Sequence, residues 1–317
     1  MPIPPPLADR MTLPVVCAPM FLISGPELVT AARRAGYIGA FPRQNARTRV
    51  EFADWLARVT DVAEHADALG PLAVNIPTTL PIDEMRADLA TCAKYGVDIV
   101  ITSVGKPDVI TDLAHEQGLL VHHDTTSLRF AEKAIAAGVD GLNCIGAGGG
   151  GHAGMVSHFA LIPRVRAMFD GTIALAGAVG TGAAIRAAEV LGADLAFIGT
   201  RFAATRESRA EPQQKQWLAS EDSTRVRYTD KINGIPASWM LASLEAHGID
   251  LDALPNPVGR GHAHLPEGVH PWRDLWSAGH SIDVIEDVPA FAELATRLRD
   301  EYLDACAVPS RVSTVTT

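Results

Sequence analysis

Gly141-Leu-Asn-Cys-Ile-Gly-Ala-Gly-Gly-Gly-Gly-His-Ala-Gly154 is a short apolar run that breaks into a loop almost free of side chains, with one imidazole near its end. Glycine admits positive φ and lets backbone N–H groups come close to a ligand. Histidine titrates near physiological pH. Taken alone, the stretch reads equally well as a mobile surface turn. Its place in a repeating pattern decides between the two.

Working outward from it, short apolar runs recur along the chain. They are Leu13–Met20, Tyr37–Phe41, Leu72–Ile76, Asp98–Thr102, Leu119–His123, Gly141–Ile145, Thr172–Ala176 and Asp194–Ile198. Between them lie helical patterns over Pro26–Ala35, Val50–Ala68, Asp83–Tyr95, Lys106–Gln117, Ser127–Ala137, Leu161–Phe169 and Gly182–Leu191. Most of these stop at glycine, where a C′ glycine belongs. Strands buried on both faces read as near-continuous apolar runs. Eight such β/α units predict an α/β protein with a TIM (β/α)8 barrel. An open doubly wound sheet is the alternative topology.

The eighth strand ends well before the C-terminus. Glu207–Ser220 reads as helix, Asn233–Ala246 as a turn leading into a helix, Asn256–Pro271 as a Gly/Pro/His-rich loop and Pro289–Ala305 as an amphipathic helix. The expected division is a barrel over 1–206, a smaller and mainly helical cap inserted after strand 8 over 207–285, and a closing barrel helix with a frayed tail over 286–317. Trp239, Met240, Trp272 and Trp276 are candidates for the inner face of the cap.

Composition narrows the function classes. The chain of 317 residues is 47% apolar with a formal net charge of −10. It shows no basic patch interleaved with aromatics, so nucleic acid is not expected as a partner. No apolar run approaches the roughly 20 residues of a membrane span, and the start, Met1-Pro-Ile-Pro-Pro-Pro6, lacks the features of a signal peptide. The four cysteines are scattered without a C-x-x-C pair. A cytoplasmic protein is the expectation.

In this fold the chemistry sits at the C-terminal ends of the strands. Those ends carry Ala18-Pro-Met20, Asn75-Ile-Pro77, Thr102-Ser103, His122-His-Asp124, Asn143 through His152, Gly177-Ala-Val-Gly180 and Gly199-Thr-Arg201. Glycines after strands seven and eight, each leading into a helix, form the recurrent phosphate site of such barrels. The strand ends offer amide side chains, Asn75 and Asn143, and little charge, which favours a flavin over a sugar phosphate. His122 and His123 are adjacent on a strand and point to opposite faces, so no metal site is expected.

Three segments resemble the nitronate monooxygenase family (formerly 2-nitropropane dioxygenases), FMN-dependent TIM-barrel enzymes. They are Gly150-Gly-His-Ala-Gly154, Ala174-Leu-Ala-Gly-Ala-Val-Gly180, and Leu191 through Phe202 with Thr205-Arg-Glu207. Ala18-Pro-Met20 and Asn75 match as well, and the likeness returns at Asn233-Gly-Ile-Pro-Ala237 and Trp276-Ser-Ala-Gly279. The chain departs from the family pattern in three places. It lacks the acidic residue before Gly-Gly-His, has Ala178 where the family has glycine, and has His280 where the family has glutamine.

The resemblance implies FMN as cofactor, with Ala18, Met20, Asn75, Asn143 and Gly148 against its ring and ribityl chain. Gly177, Ala178, Gly199 and Thr200 would cradle the phosphate, and Pro19, His122, Gly149 and Ile198 would complete the cofactor-binding set. His152 would be the catalytic residue facing the substrate. The implied reaction oxidises a small nitronate, or a nitroalkane, with O2 to a carbonyl compound and nitrite. An FMN-dependent NAD(P)H:quinone or enoyl-thioester reductase of the same superfamily is the alternative, and a non-enzymatic flavin-binding barrel the third reading. A homodimer is left open.

Overall fold

The computed structural model describes residues 3–61 and 69–309. The barrel strands are β1 Val15–Cys17, β2 Ile38–Pro42, β3 Leu72–Pro77, β4 Ile99–Ser103, β5 Leu120–Thr125, β6 Gly141–Ile145, β8 Thr172–Ala176 and β9 Leu195–Ile198. They pair in parallel, in that order, and β9 closes back onto β1. The remaining label, β7, is the two-residue strand Gly151–His152 that leaves the barrel after β6. Each expected apolar run contributes a barrel strand. Of the first, only Val15–Cys17 is regular, because Pro14 and Pro19 on either side have no N–H for a ladder.

Alternation within the strands separates two apolar layers. Val16, Ile38, Ala40, Ala73, Ile99, Ile101, Ala174 and Leu195 fill the barrel interior together with Leu7, from the short helix Pro5–Ala8. Their neighbours along the strands, such as Val74, Val100, Val121, Leu142 and Ile173, pack outward against the helices. One polar device repeats. In Gly96-Val-Asp98, Gly138-Val-Asp140 and Gly192-Ala-Asp194, a helix stops and an aspartate precedes the next strand. Oδ2 of Asp98, Asp140 and Asp194 accepts the N–H of Leu72, Val121 and Ile173, each at 2.8 Å. Arg10, His115 and Arg166 respectively sit on the same carboxylates. The aspartate thus fixes the start of the preceding strand relative to its own, and so its register.

The helices between the strands run over Pro26–Arg34, Arg49–Thr60, Ile82–Lys94, Asp108–His115, Leu128–Ala136, His158–Arg166 and Gly182–Leu191. The second was expected to continue to Ala68, and that extension lies outside the described residues. Helix Phe291–Cys306 packs against both Gly182–Leu191 and Pro26–Arg34. No described helix is long and apolar enough to cross a membrane.

Between β9 and that last helix lie helix Pro212–Ser220, β10 Val226–Thr229, β11 Ala237–Met240 and helix Leu241–Ala246. β10, β11 and β7 form an antiparallel sheet, with Ala237 opposite His152 and Ser238 opposite Gly151. Asn233–Ala246 was expected as a turn running into helix, and the strand within it is a correction. Its partners come from far away in the chain, so the local pattern does not reveal it.

The contact between Gly182 and the last helix leaves no room for a side chain. A Cβ at Gly182 would lie 2.2 Å from both the Leu298 carbonyl oxygen and the Tyr302 amide nitrogen, and the Gly182 N–H donates to Glu301 Oε2 at 2.7 Å. Gly182→Ala is therefore expected to destabilise the protein by about 1–3 kcal/mol through overpacking. Urea denaturation of the two proteins measures this, and an unchanged midpoint would show that the last helix shifts without cost.

Candidate active site

A cavity of about 1730 Å³ opens at the C-terminal ends of the strands. Its wall includes Ala18, Pro19 and Met20 after β1, Asn75 on β3, Gly148, Gly149 and His152 after β6, Gly177 and Ala178 after β8, and Gly199 and Thr200 after β9. A smaller groove of about 670 Å³ lies among outer helices around Arg34, Arg58 and Arg299, and has no strand-end residue.

Three expected cofactor residues stand away from this wall. Ile198 is fully buried in the layer between strands and helices, because it is Phe197, one residue earlier, that faces the cavity. Only the Ile198 carbonyl reaches the site region, accepting the Ala18 N–H at 2.9 Å. His122 lies deeper in the barrel, its ring against Gly141, where a Cβ would come within 2.5 Å of the imidazole. Burial pushes the His122 pKa down to about 4, so it is neutral at physiological pH. Asn143 is also completely buried and donates from Nδ2 to Asp124 Oδ1 at 2.8 Å. His123 turns the other way and meets Thr102 Oγ1 at 2.7 Å through Nδ1.

The glycine loop is held by backbone contacts. The Gly148 carbonyl accepts N–H groups from Ala178 at 3.2 Å and His280 at 2.9 Å. A Cβ on Gly150 would sit 2.9 Å from the Gly279 nitrogen, and one on Gly177 2.9 Å from the Gly149 nitrogen. Only a chain without side chains packs this closely. Ala178 has φ of +58°, the left-handed region in which a Cβ costs roughly 1–2 kcal/mol. The conformation expected of a glycine after strand seven is thus kept although the residue is alanine. Gly199 is different. Its φ is an ordinary −110°, and a Cβ there would meet only the Met20 sulfur at 3.6 Å and Ala18 Cβ at 3.7 Å. Nothing in the chain itself requires glycine at that point, which fits a position kept open for a ligand.

His152 is held by β7, paired to β11, instead of riding on a loose loop. Its Nε2 is buried and has no hydrogen-bond partner among the described residues. The ring meets the Trp272 ring edge-on, with centroids 5.2 Å apart at 81°, and Trp239 lies behind Trp272 at 4.4 Å. Burial, and then the charge of Arg260, hold the His152 pKa below the ordinary imidazole range. Of the four candidates for the inner face, Trp272 and Trp276 line the cavity, whereas Trp239 and Met240 belong to two smaller apolar clusters.

Several wall residues were not in the expected set. Phe197 was readable from strand alternation. Asp124 was visible as a carboxylate at a strand end. Tyr228, whose hydroxyl donates to the Ala153 carbonyl at 2.8 Å, gave no sequence signal. Trp272 was a candidate for the inner face of the cap, but its φ of +70° appears only in the fold. No cluster of three or more potential metal ligands occurs among the described residues.

The geometry is that of a barrel enzyme with a glycine-built cradle on one side of its mouth and an imidazole on the other. A family model described as nitronate monooxygenase matches residues 49–298. The chain belongs to the nitronate monooxygenase family. It is 30% identical over 285 residues to a nitronate monooxygenase of Paraburkholderia phytofirmans, covering 75% of this chain and 76% of that protein. It is 27% identical over 232 residues to a 5-hydroxy-7a-methyl-1-oxo-octahydro-1H-indene-4-carboxyl-CoA dehydrogenase of Rhodococcus jostii, covering 70% of this chain and 61% of that relative's length. The structure of nitroalkane oxidase from Streptomyces ansochromogenes superposes with a TM-score of 0.77 at 23% identity, over 95% of this chain and 99% of that one, a likeness of fold.

Removing the Trp272 ring should admit water to His152. Trp272→Ala is expected to raise the His152 pKa toward its ordinary value, since burial is the main cause of its depression. An NMR pH titration of the imidazole checks this, and an unmoved midpoint would assign the shift to other groups.

Proposed function

We propose that the protein is an FMN-dependent oxidoreductase that uses O2 to oxidise alkyl nitronates, and nitroalkanes, to carbonyl compounds and nitrite. The observation that carries this reading is that His152, whose buried Nε2 has no hydrogen-bond partner among the described residues, lines the same cavity as the glycine cradle. The residues present suit FMN. Gly177, Ala178, Gly199 and Thr200 would hold its phosphate, with Gly199 leaving space where a Cβ would otherwise project. Thr200 Oγ1 accepts the Gly279 N–H at 2.9 Å, which leaves the hydroxyl proton free to donate to a phosphate oxygen. Ala18, Met20, Asn75 and Gly148 would flank the ring. When bound, the flavin supplies the two-electron chemistry, and the chain supplies orientation and proton handling.

His152 is neutral at physiological pH because burial depresses its pKa. It can therefore accept the α-proton of a neutral nitroalkane, and this capacity is lost as pH falls through its pKa. Toward a nitronate, already deprotonated, the ring orients the nitro oxygens. The edge contact with Trp272 sets the plane in which it does so.

The cavity volume supports a second reading. At about 1730 Å³ it has room beside the flavin that it would hold, which suits a larger acyl thioester or quinone and an NAD(P)H-dependent reductase. The carboxyl-CoA dehydrogenase relative points the same way. Anaerobic mixing separates the two. Nitronate alone bleaches the flavin in the oxidase, and NADH alone does so in the reductase.

Two variants test the assignments. Gly199→Asp is expected to yield largely flavin-free protein through steric and like-charge conflict with phosphate. Full flavin occupancy, read from the visible absorption of the purified variant, would mean the phosphate lies elsewhere. His152→Asn is expected to keep its flavin and lose about 10²–10⁴-fold in kcat/KM for neutral nitroalkanes, with a much smaller loss for preformed nitronates. Equal losses for both substrates would remove the proton-abstraction role.

A further inference from the structure

Asp124 is a carboxyl group that the reading above leaves without a task. It is the last residue but one of β5 and lies on the cavity wall with Asn75, Ser103 and Gly148. Asn143 Nδ2 donates to its Oδ1 at 2.8 Å, and Oδ2 has no protein partner among the described residues. No ion pair reaches it among the described residues. Beneath it His122 is neutral, and beside it His123 is turned to Thr102. His152 faces the cavity from above with a depressed pKa. At the cavity edge stand Lys106, paired with Asp108, and the exposed Lys133. Asn143 of β6 lies opposite it in the ladder, and Ser103 at the end of β4 lines the same cavity. A half-buried carboxylate on the cavity wall, with no basic side chain paired to it among the described residues, lacks the cation that would keep it charged. Burial raises its pKa to about 6, against the lowering pull of the Asn143 hydrogen bond.

Resting on the FMN reading, the geometry points to Asp124 as a proton acceptor coupled to reduction of the flavin, taking up a proton on Oδ2 when the ring above it gains two electrons. A ring whose phosphate is held at the β8 and β9 loops would extend across the barrel mouth, whose wall on the β3 and β5 side includes Asn75 and Asp124. Two like charges cannot share a desolvated site cheaply, so charge gathered on the reduced ring raises the carboxyl pKa further. The balance is simple. The substrate would give up two electrons to the flavin, and solvent would supply two protons, one to the ring and one to Asp124 Oδ2. No bond to carbon forms or breaks at the aspartate. On reoxidation the proton leaves again.

The test is the midpoint potential of the bound flavin against pH, measured by equilibration with reference dyes from pH 5 to pH 8.5 in wild type, Asp124→Asn and Asp124→Glu. One extra proton per two electrons changes the equilibrium constant tenfold per pH unit, equivalent to about 30 mV. Above pH 6 the wild type and Asp124→Glu are expected to be steeper than Asp124→Asn by that amount. Below pH 6, where the carboxyl is already protonated with the flavin oxidised, the curves should run parallel. Parallel lines over the whole range would overturn the proposal while leaving flavin binding intact. If Asp124→Asn does not hold flavin, oxidised-minus-reduced infrared spectra of the wild type decide, because a protonated-carboxyl C=O band must appear on reduction and its absence refutes the assignment. A wild type that fails to bind added FMN, followed by quenching of flavin fluorescence, would overturn the FMN reading and this proposal with it.

Discussion

The Gly148 carbonyl accepts two backbone N–H groups, one from Ala178 after β8 and one from His280 in the segment before the last helix. Three parts of the chain, far apart in sequence, meet at this oxygen with almost no side chain between them. A Cβ on Gly148 would lie 3.1 Å from the His280 ring and 3.2 Å from Ala178 Cβ, and one on Gly279 would lie 2.6 Å from Gly148 O. The glycine-rich composition of residues 146–151 is therefore a packing requirement before it is a binding feature. It draws the β6 loop down onto the β8 loop and lets the later segment lie over both. Thr200, bonded to the Gly279 amide, adds the β9 loop to the same cluster. The cradle and the cover are parts of one backbone assembly.

Electrostatics in the barrel mouth follow from what surrounds it. Buried imidazoles at His122, His123 and His152 are held neutral by desolvation, and Asp124 is pushed toward neutrality by the same cause. Charged groups keep to other places. The carboxylates of Asp98, Asp140 and Asp194 each work at the start of a strand, on the opposite side of the barrel from the cavity, where backbone N–H groups and basic side chains meet them. The strand starts are thus locked by ionic contacts and the strand ends are left with low net charge. That division suits a site whose substrate and cofactor bring charge of their own.

The barrel was legible in the sequence because its signals are local. Each apolar run and each glycine stop lies within a few residues of the element it specifies. The strand-end residues were legible for the same reason, once the barrel assigned them to a common face. Errors arose where a side chain's direction mattered, as at Ile198, whose neighbour Phe197 faces the cavity in its place. The sheet of β7, β10 and β11 was not legible, since Gly151–His152 has no strand character until Ala237 and Ser238 arrive beside it. Nor was the left-handed backbone of Trp272, which tertiary contacts hold in place.

The pairing of β7 with β11 gives the molecule an uneven hierarchy of order. The barrel strands need only one another, whereas the strand bearing His152 exists through a partner that emerges from the ribosome much later. During synthesis, the barrel strands are complete before the imidazole has a fixed address. The same asymmetry runs in reverse under stress. A fluctuation that frees β11 removes the strand partner of His152 while the parallel ladder stays whole, because locally opening units can be less stable than the core they rest on. Inactivation and unfolding are then separate events with separate barriers.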